Sequence, residues 1–271
     1  MQRLSVNEIT TFRWSFEEDV ANYAAAGFTA IGIWRQKLSD YGLDRAVELL
    51  REHKLKVSNF CWAGGFTGSD GRTFRESMND AIEAIQTAGQ LGATTLVVYS
   101  GARAGHTANH AKRLIYTALC ELLPIAEEFG VNLALEPMHP ECAADWTILT
   151  SLDETLAILD QVNSPHVQLV FDTYHLGFDE AAINRIEEIV DRVAVVHLGD
   201  GKPPRDGEQN RCFLGRGEIP LDKIVHRLLD AGYQGYFDVE LIGEELESCN
   251  YRDLLASSKL ESCRLITGYA D

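Results

Sequence analysis

Short apolar runs alternate along the chain with longer stretches whose apolar positions recur at helical spacing. The runs at residues 4–9, 30–34, 55–61, 95–99, 132–136, 167–172, 193–198 and 235–240 read as strands. The stretches at residues 16–25, 43–53, 74–90, 108–129, 152–159, 180–190, 221–231 and 251–266 read as helices. Punctuation supports the division: Ser15 stands where an N-cap belongs, and Gly27, Gly92, Gly130 and Gly232 follow helix ends. The strands are nearly continuous apolar runs, the pattern of parallel strands covered by helices on their faces. Eight strand–helix units predict an α/β fold closed into a (β/α)8 barrel, for which about 250 residues is typical. A doubly wound open sheet is the competitor. Its dinucleotide-binding form is weakened because no Gly-x-Gly-x-x-Gly follows the first strand. No linker or low-complexity tract divides the chain, so residues 1–271 are read as one domain.

Composition narrows the partners. There are 41 acidic against 24 basic side chains, a net charge of −17, and that balance repels phosphate backbones and anionic lipid. Nucleic acid and membrane are therefore not expected as partners. No run of 18 or more apolar residues is present, and the first residues lack the pattern of a signal peptide, so a cytoplasmic location is expected. The 6 cysteines are scattered without a C-x-x-C pair and read as reduced thiols, Cys61 among them.

Candidate chemistry sits at the ends of the later strands. Leu133-Ala134-Leu135 ends on Glu136, and Val167-Gln168-Leu169-Val170-Phe171 ends on Asp172. Val193-Ala194-Val195-Val196 ends on His197, and Tyr236-Phe237-Asp238-Val239 ends on Glu240. Any one of these is ordinarily a cap or a solvated loop residue. Together they bring four metal-ligand types to neighbouring strands, at the barrel face where active sites form. Adjacent strands lie about 4.8 Å apart, so four successive ends can meet at one ion. Three carboxylates and an imidazole favour one divalent metal ion, Mn²⁺ first, with Mg²⁺ or Co²⁺ as alternatives, over a closed zinc site.

These motifs carry a resemblance. Leu135-Glu136-Pro137, Phe171-Asp172-Thr173-Tyr174-His175, Val196-His197-Leu198-Gly199-Asp200, Gly215-Arg216-Gly217-Glu218-Ile219-Pro220 and Asp238-Val239-Glu240 resemble the sugar phosphate isomerase/epimerase family. Its members are xylose isomerase-like TIM barrels that include ketose 3-epimerases, hydroxypyruvate isomerases and inosose dehydratases. The resemblance implies that Glu136, Asp172, His197 and Glu240 bind a divalent metal. It also implies that Glu136 and Glu240 act as acid and base, and that His175 contacts substrate. The expected reaction is isomerisation or epimerisation of a keto-sugar or sugar phosphate. A proton beside the carbonyl is removed through a metal-stabilised enediolate.

Other substrate contacts are expected from position. His139 lies in the loop after Glu136, and Trp34, Trp62 and Tyr99 end the second, third and fourth strands, where they form an apolar wall or pack in the core. His106 follows the fourth strand and either contacts substrate or opens the next helix. Family epimerases carry an Arg shortly after the strand-seven His. Here Pro203 occupies that place, so Arg205 is the first candidate and Arg211 the second. Both lie in the long loop 199–217, which reads as a substrate loop or lid. The glycine-rich stretch 64–71 lacks the Gly-Lys-Ser/Thr ending of a phosphate loop.

Three alternatives stay open. A lyase or dehydratase of a keto-inositol or keto-glycoside would use the same site. An apurinic endonuclease would need extra His ligands at earlier strand ends, and 58–62 has none. A barrel could also bind sugar without catalysis. A small-molecule sugar is the expected partner, and a homo-oligomer is open because barrels of this kind often pair.

Overall fold

The computed structural model describes residues 3–203 and 210–268. Eight strands are present: β1 Leu4–Asn7, β2 Ala30–Trp34, β3 Lys56–Gly64, β4 Thr95–Tyr99, β5 Asn132–Leu135, β6 Val167–Asp172, β7 Val193–Leu198 and β8 Tyr236–Val239. Each pairs in parallel with its neighbours in sequence order, and β8 returns to β1, so the sheet closes into a barrel. The α/β alternation read from the hydrophobic pattern is thus the observed (β/α)8 architecture, and the open-sheet alternative falls.

Local sequence explains where the long helices start and stop. Ser15 and Thr73 close capping boxes with Glu18 and Glu76, opening Phe16–Ala25 and Phe74–Leu91. Thr107 caps Ala108–Phe129, and that helix ends at Gly130 in the left-handed conformation. The expected helix over 180–190 is broken instead into Glu180–Ile183, Ile186–Ile189 and a 3-10 turn, Val190–Arg192. Ile183, Ile186 and Ile189 recur every third residue and all are buried. A continuous α-helix, at 3.6 residues per turn, would rotate one of them away from the barrel.

Short helices at Arg35–Tyr41, Thr173–Leu176 and Glu244–Glu247 lie outside the pattern read from sequence. Thr173–Leu176 exists because the Asp172 carboxylate accepts the N–H groups of Tyr174 and His175.

Two cores result from the period-two alternation of strands. Leu133, Leu135, Leu169, Phe171, Val196 and Leu198 face outward into the helix–sheet core. Cys61, Val97, Ala134, Val170 and Val195 form a small cluster inside the barrel. Among the described residues no helix is long and apolar enough to cross a membrane.

Candidate active site

The inner cluster fixes what stands above it. Glu136, Asp172 and His197 each follow an inner residue (Ala134, Val170, Val195) by two positions, so all three side chains share the inward face. They lie one layer nearer the C-terminal mouth of the barrel. Strand register pairs Asp172 with His197 and His197 with Asp238, and Glu240 follows Asp238 by two.

The four predicted ligands meet there. His197 Nδ1 lies 3.1 Å from Glu240 Oε2, 3.3 Å from Glu136 Oε1 and 3.8 Å from Asp172 Oδ2. Ligand atoms of Glu136, Asp172 and His197 all lie within 4.8 Å of one another, and all four residues are buried.

So much negative charge in one place requires cations. Arg211, itself fully buried, donates to Glu240 Oε1 at 2.6 Å and to Asp172 Oδ2 at 2.9 Å. Burial pulls the His197 pKa down, but the charges of Glu240 and Glu136 outweigh it and lift the group to about 10. Burial also raises the Glu136 carboxyl, with the charges of Glu240 and Asp172 adding to the shift against His197.

The residues fit a divalent cation. Glu240 Oε2 and both ring nitrogens of His197 are buried without a hydrogen-bond partner, a state that is costly unless something coordinates them. Oxygen donors with one imidazole suit a hard or borderline divalent ion.

A cavity opens onto this cluster, lined by Trp62, Tyr99, Glu136, Met138, Trp146, His175 and Glu240. Three aromatic rings form one wall: the Trp146 centroid lies 5.7 Å from Tyr99 and 6.5 Å from Trp62. The Tyr99 hydroxyl is held by Arg72 at 3.1 Å and Asp70 at 3.3 Å.

A family model for the xylose isomerase-like TIM barrel matches residues 20–261. The chain belongs to that family. It is 24% identical over 279 residues to an inosose isomerase of Bacillus velezensis, covering 98% of each chain. It is 30% identical over 169 residues to a D-psicose 3-epimerase of Enterocloster bolteae, covering 55% of this chain and 52% of that enzyme. The barrel superposes with a TM-score of 0.85 on the crystal structure of the IolI protein with a bound zinc atom, at 22% identity and 99% coverage of both chains.

The remaining predicted residues divide. Trp62 and His175 line the cavity of this xylose isomerase-like barrel. His139 stands behind His175, with 2.7 Å between their Nδ1 atoms and the rings stacked at 4.9 Å. Cys142 Sγ is 3.7 Å from His139 Nδ1, and the imidazole–imidazole hydrogen bond accounts for this close group.

Trp34 is not brought to the cavity. It lines a separate cleft with Phe12, Trp14, Phe16, Lys37 and Tyr41. His106 is not brought there either: its Nε2 lies 3.1 Å from the Thr67 carbonyl and ties two loops together. Arg205 lies outside the described residues. Arg211, the second candidate, is the arginine in the cluster.

Met138 and Trp146 do not stand out in the sequence, because loop residues carry no periodicity. The one available signal for Trp146 was a large aromatic in the loop following a candidate ligand strand.

Proposed function

We propose that this enzyme is a divalent-metal-dependent isomerase or epimerase of a keto-sugar or keto-inositol, moving a proton at the carbon beside the carbonyl. The observation that carries the reading is the convergence of Glu136, Asp172, His197 and Glu240, with buried atoms among them that make no hydrogen bond, at the floor of an aromatic-walled cavity. The names of the relatives, an inosose isomerase and a ketose 3-epimerase, support the substrate class.

The two glutamates differ in surroundings. Glu136, its carboxyl raised by burial, is suited to give a proton. Glu240 has Oε1 engaged by Arg211, while Oε2 makes no hydrogen bond and faces His197 Nδ1 at 3.1 Å, which leaves Oε2 the oxygen suited to take one. His175, on the cavity wall, is suited to hold a substrate hydroxyl, and Trp62, Tyr99 and Trp146 to exclude water behind the ring. A cation held by the four ligands would polarise the keto oxygen and carry the negative charge that develops there. Among the described residues no Lys or Arg lines the cavity, which favours a neutral sugar or cyclitol over a phosphate ester.

The test is a screen of keto-sugars, keto-inositols and their phosphates with Mn²⁺ in D₂O, read by NMR. Deuterium enters at the carbon beside the carbonyl of a converted substrate, chelation stops it, and Glu240→Gln folds normally but turns nothing over. Product lighter by one water would make the enzyme a dehydratase. Conversion that survives chelation, or activity retained in Glu240→Gln, would overturn the assignment.

A further inference from the structure

Asp238 is a fully buried carboxylate at the centre of the barrel, outside the quartet. Its Oδ2 accepts from Asn59 Nδ2 at 2.7 Å and from Asn7 Nδ2 at 3.1 Å, and Ser58 Oγ lies 3.5 Å from its Oδ1. Gly32 faces the same atom: a Cβ there would stand 2.4 Å from Oδ2 and 2.9 Å from the Asn7 amide. Strands β1, β2 and β3 thus build a seat for one carboxylate on β8. Neutral donors soften the cost of burying that charge without cancelling it.

The group that faces this seat is an imidazole. His197 is in register with Asp238 on the neighbouring strand, and its Nε2 lies 3.9 Å from Asp238 Oδ2. The other ring nitrogen, Nδ1, points at Glu136, Asp172 and Glu240. The ring therefore spans two acidic sites. At 3.9 Å the lower contact is electrostatic, longer than a hydrogen bond.

We propose that Asp238 is a positioning residue that keeps the His197 proton on Nε2, so that Nδ1 offers its lone pair to the cation of the quartet. This rests on the cation-binding function proposed above. A neutral imidazole has one protonated and one free nitrogen, and only the free one can coordinate. A carboxylate behind the ring selects which is which and strengthens the ligand nitrogen. Without it, the three carboxylates around Nδ1 would hold the proton on the nitrogen that must be bare. A packing role alone would affect folding and leave the choice of tautomer untouched.

Full-length protein labelled with nitrogen-15 histidine and loaded with Zn²⁺, a diamagnetic probe, tests this directly. The ring shifts of His197, assigned by comparison with His197→Gln, report the tautomer, and competition with a chelator gives the Zn²⁺ affinity. Asp238→Asn keeps the shape and an acceptor for the two amides but removes the charge. It is expected to fold, to bind Zn²⁺ about 10–100-fold more weakly, and to lose the Nε2–H signature. Gly32→Ala crowds the carboxylate without removing it and is expected to weaken binding in the same direction. It serves as the test should Asp238→Asn not fold.

Wild-type affinity with unchanged ring shifts, in Asp238→Asn or in its substitute, overturns the proposal. Glu240→Gln separates the two levels. If it weakens Zn²⁺ binding and Asp238→Asn does not, only the role of Asp238 falls. If the wild type takes no Zn²⁺, or Glu240→Gln binds it equally well, the cation site falls and Asp238 loses its role with it.

Discussion

Arg211 and His197 together set the electrostatics of the site at the level of single residues. Arg211 bridges Asp172 and Glu240 with two charge-assisted bonds, and its guanidinium lies 4.9 Å over the Tyr174 ring. Breaking one partner from a buried ion pair leaves the other charge uncompensated, at a cost of about 3–5 kcal/mol. Arg211→Met is therefore expected to lower the Tm of the chelated protein markedly. A divalent ion supplies charge at the same carboxylates, so Mn²⁺ should restore more stability to the variant than it adds to wild type. Thermal denaturation of both proteins with and without the ion measures this. Equal responses to Mn²⁺ would separate Arg211 from the ligand cluster.

Elements decide which of these residues can meet. Each residue of the quartet stands at or just beyond the end of one strand, where the side-chain direction follows the pleat. Loop 199–217 is pinned where it leaves and rejoins the barrel. The Asp200 carboxylate accepts the N–H of Gly201 at 2.8 Å and those of Gly215 and Gly217 at 2.9 Å each. Cys212 N–H donates to the Asp200 carbonyl at 2.9 Å, and Arg211 N–H donates to Ile242 at 2.8 Å. That clasp delivers Arg211 to the cluster from far along the chain. Asp200→Ala removes the acceptor for three N–H groups at about 1–3 kcal/mol for each one left buried and unpaired. Faster limited proteolysis within 199–217 is expected, together with a lower Tm. A loop as resistant as wild type would show that its anchoring lies elsewhere.

Beyond the active-site mouth, a second buried charge cluster stands where β1 and β2 meet the first helices, and it ties the stability of the whole molecule to pH. Lys37 Nζ donates to Asp19 at 2.5 Å and to the carbonyls of Thr11 and Glu8 at 2.9 and 3.1 Å. Glu8 Oε2 accepts the Trp34 N–H at 2.8 Å, and its other oxygen is buried without a partner. Burial, with the charge of Asp19, pushes the Glu8 carboxyl well above its ordinary value of 4.5, and burial raises Asp19 to about 6. Glu8 keeps its proton in the folded state after the unfolded chain has released it. The stability this contributes is complete below about pH 4.5 and is lost as pH rises through the folded value. Glu8→Gln, permanently neutral, should make Tm fall less steeply with pH above that point. Parallel Tm curves against pH for wild type and variant would refute the assignment.

The alternation of apolar runs and amphipathic stretches was enough, in the sequence alone, to specify eight parallel strands in order. Five of them, including β6 and β7 with their terminal Asp172 and His197, have the observed bounds or differ by one residue at an end. The quartet was legible because four ligand types end neighbouring strands at one face, although each taken singly passes as a cap or a loop residue. Helix 180–190 and the place of Trp34 were not legible, because a period of three resembles a helix until the core selects the conformation, and because whether a strand-end side chain meets the cavity or a neighbouring cleft depends on the packing around it. Register and closure are tertiary facts. They put Asp238 behind His197, brought Arg211 between two carboxylates and set Trp146 against Trp62, pairs whose partners are separated by up to 84 positions. No local pattern encodes such contacts, since each joins residues on different strands or loops that meet only in the folded barrel.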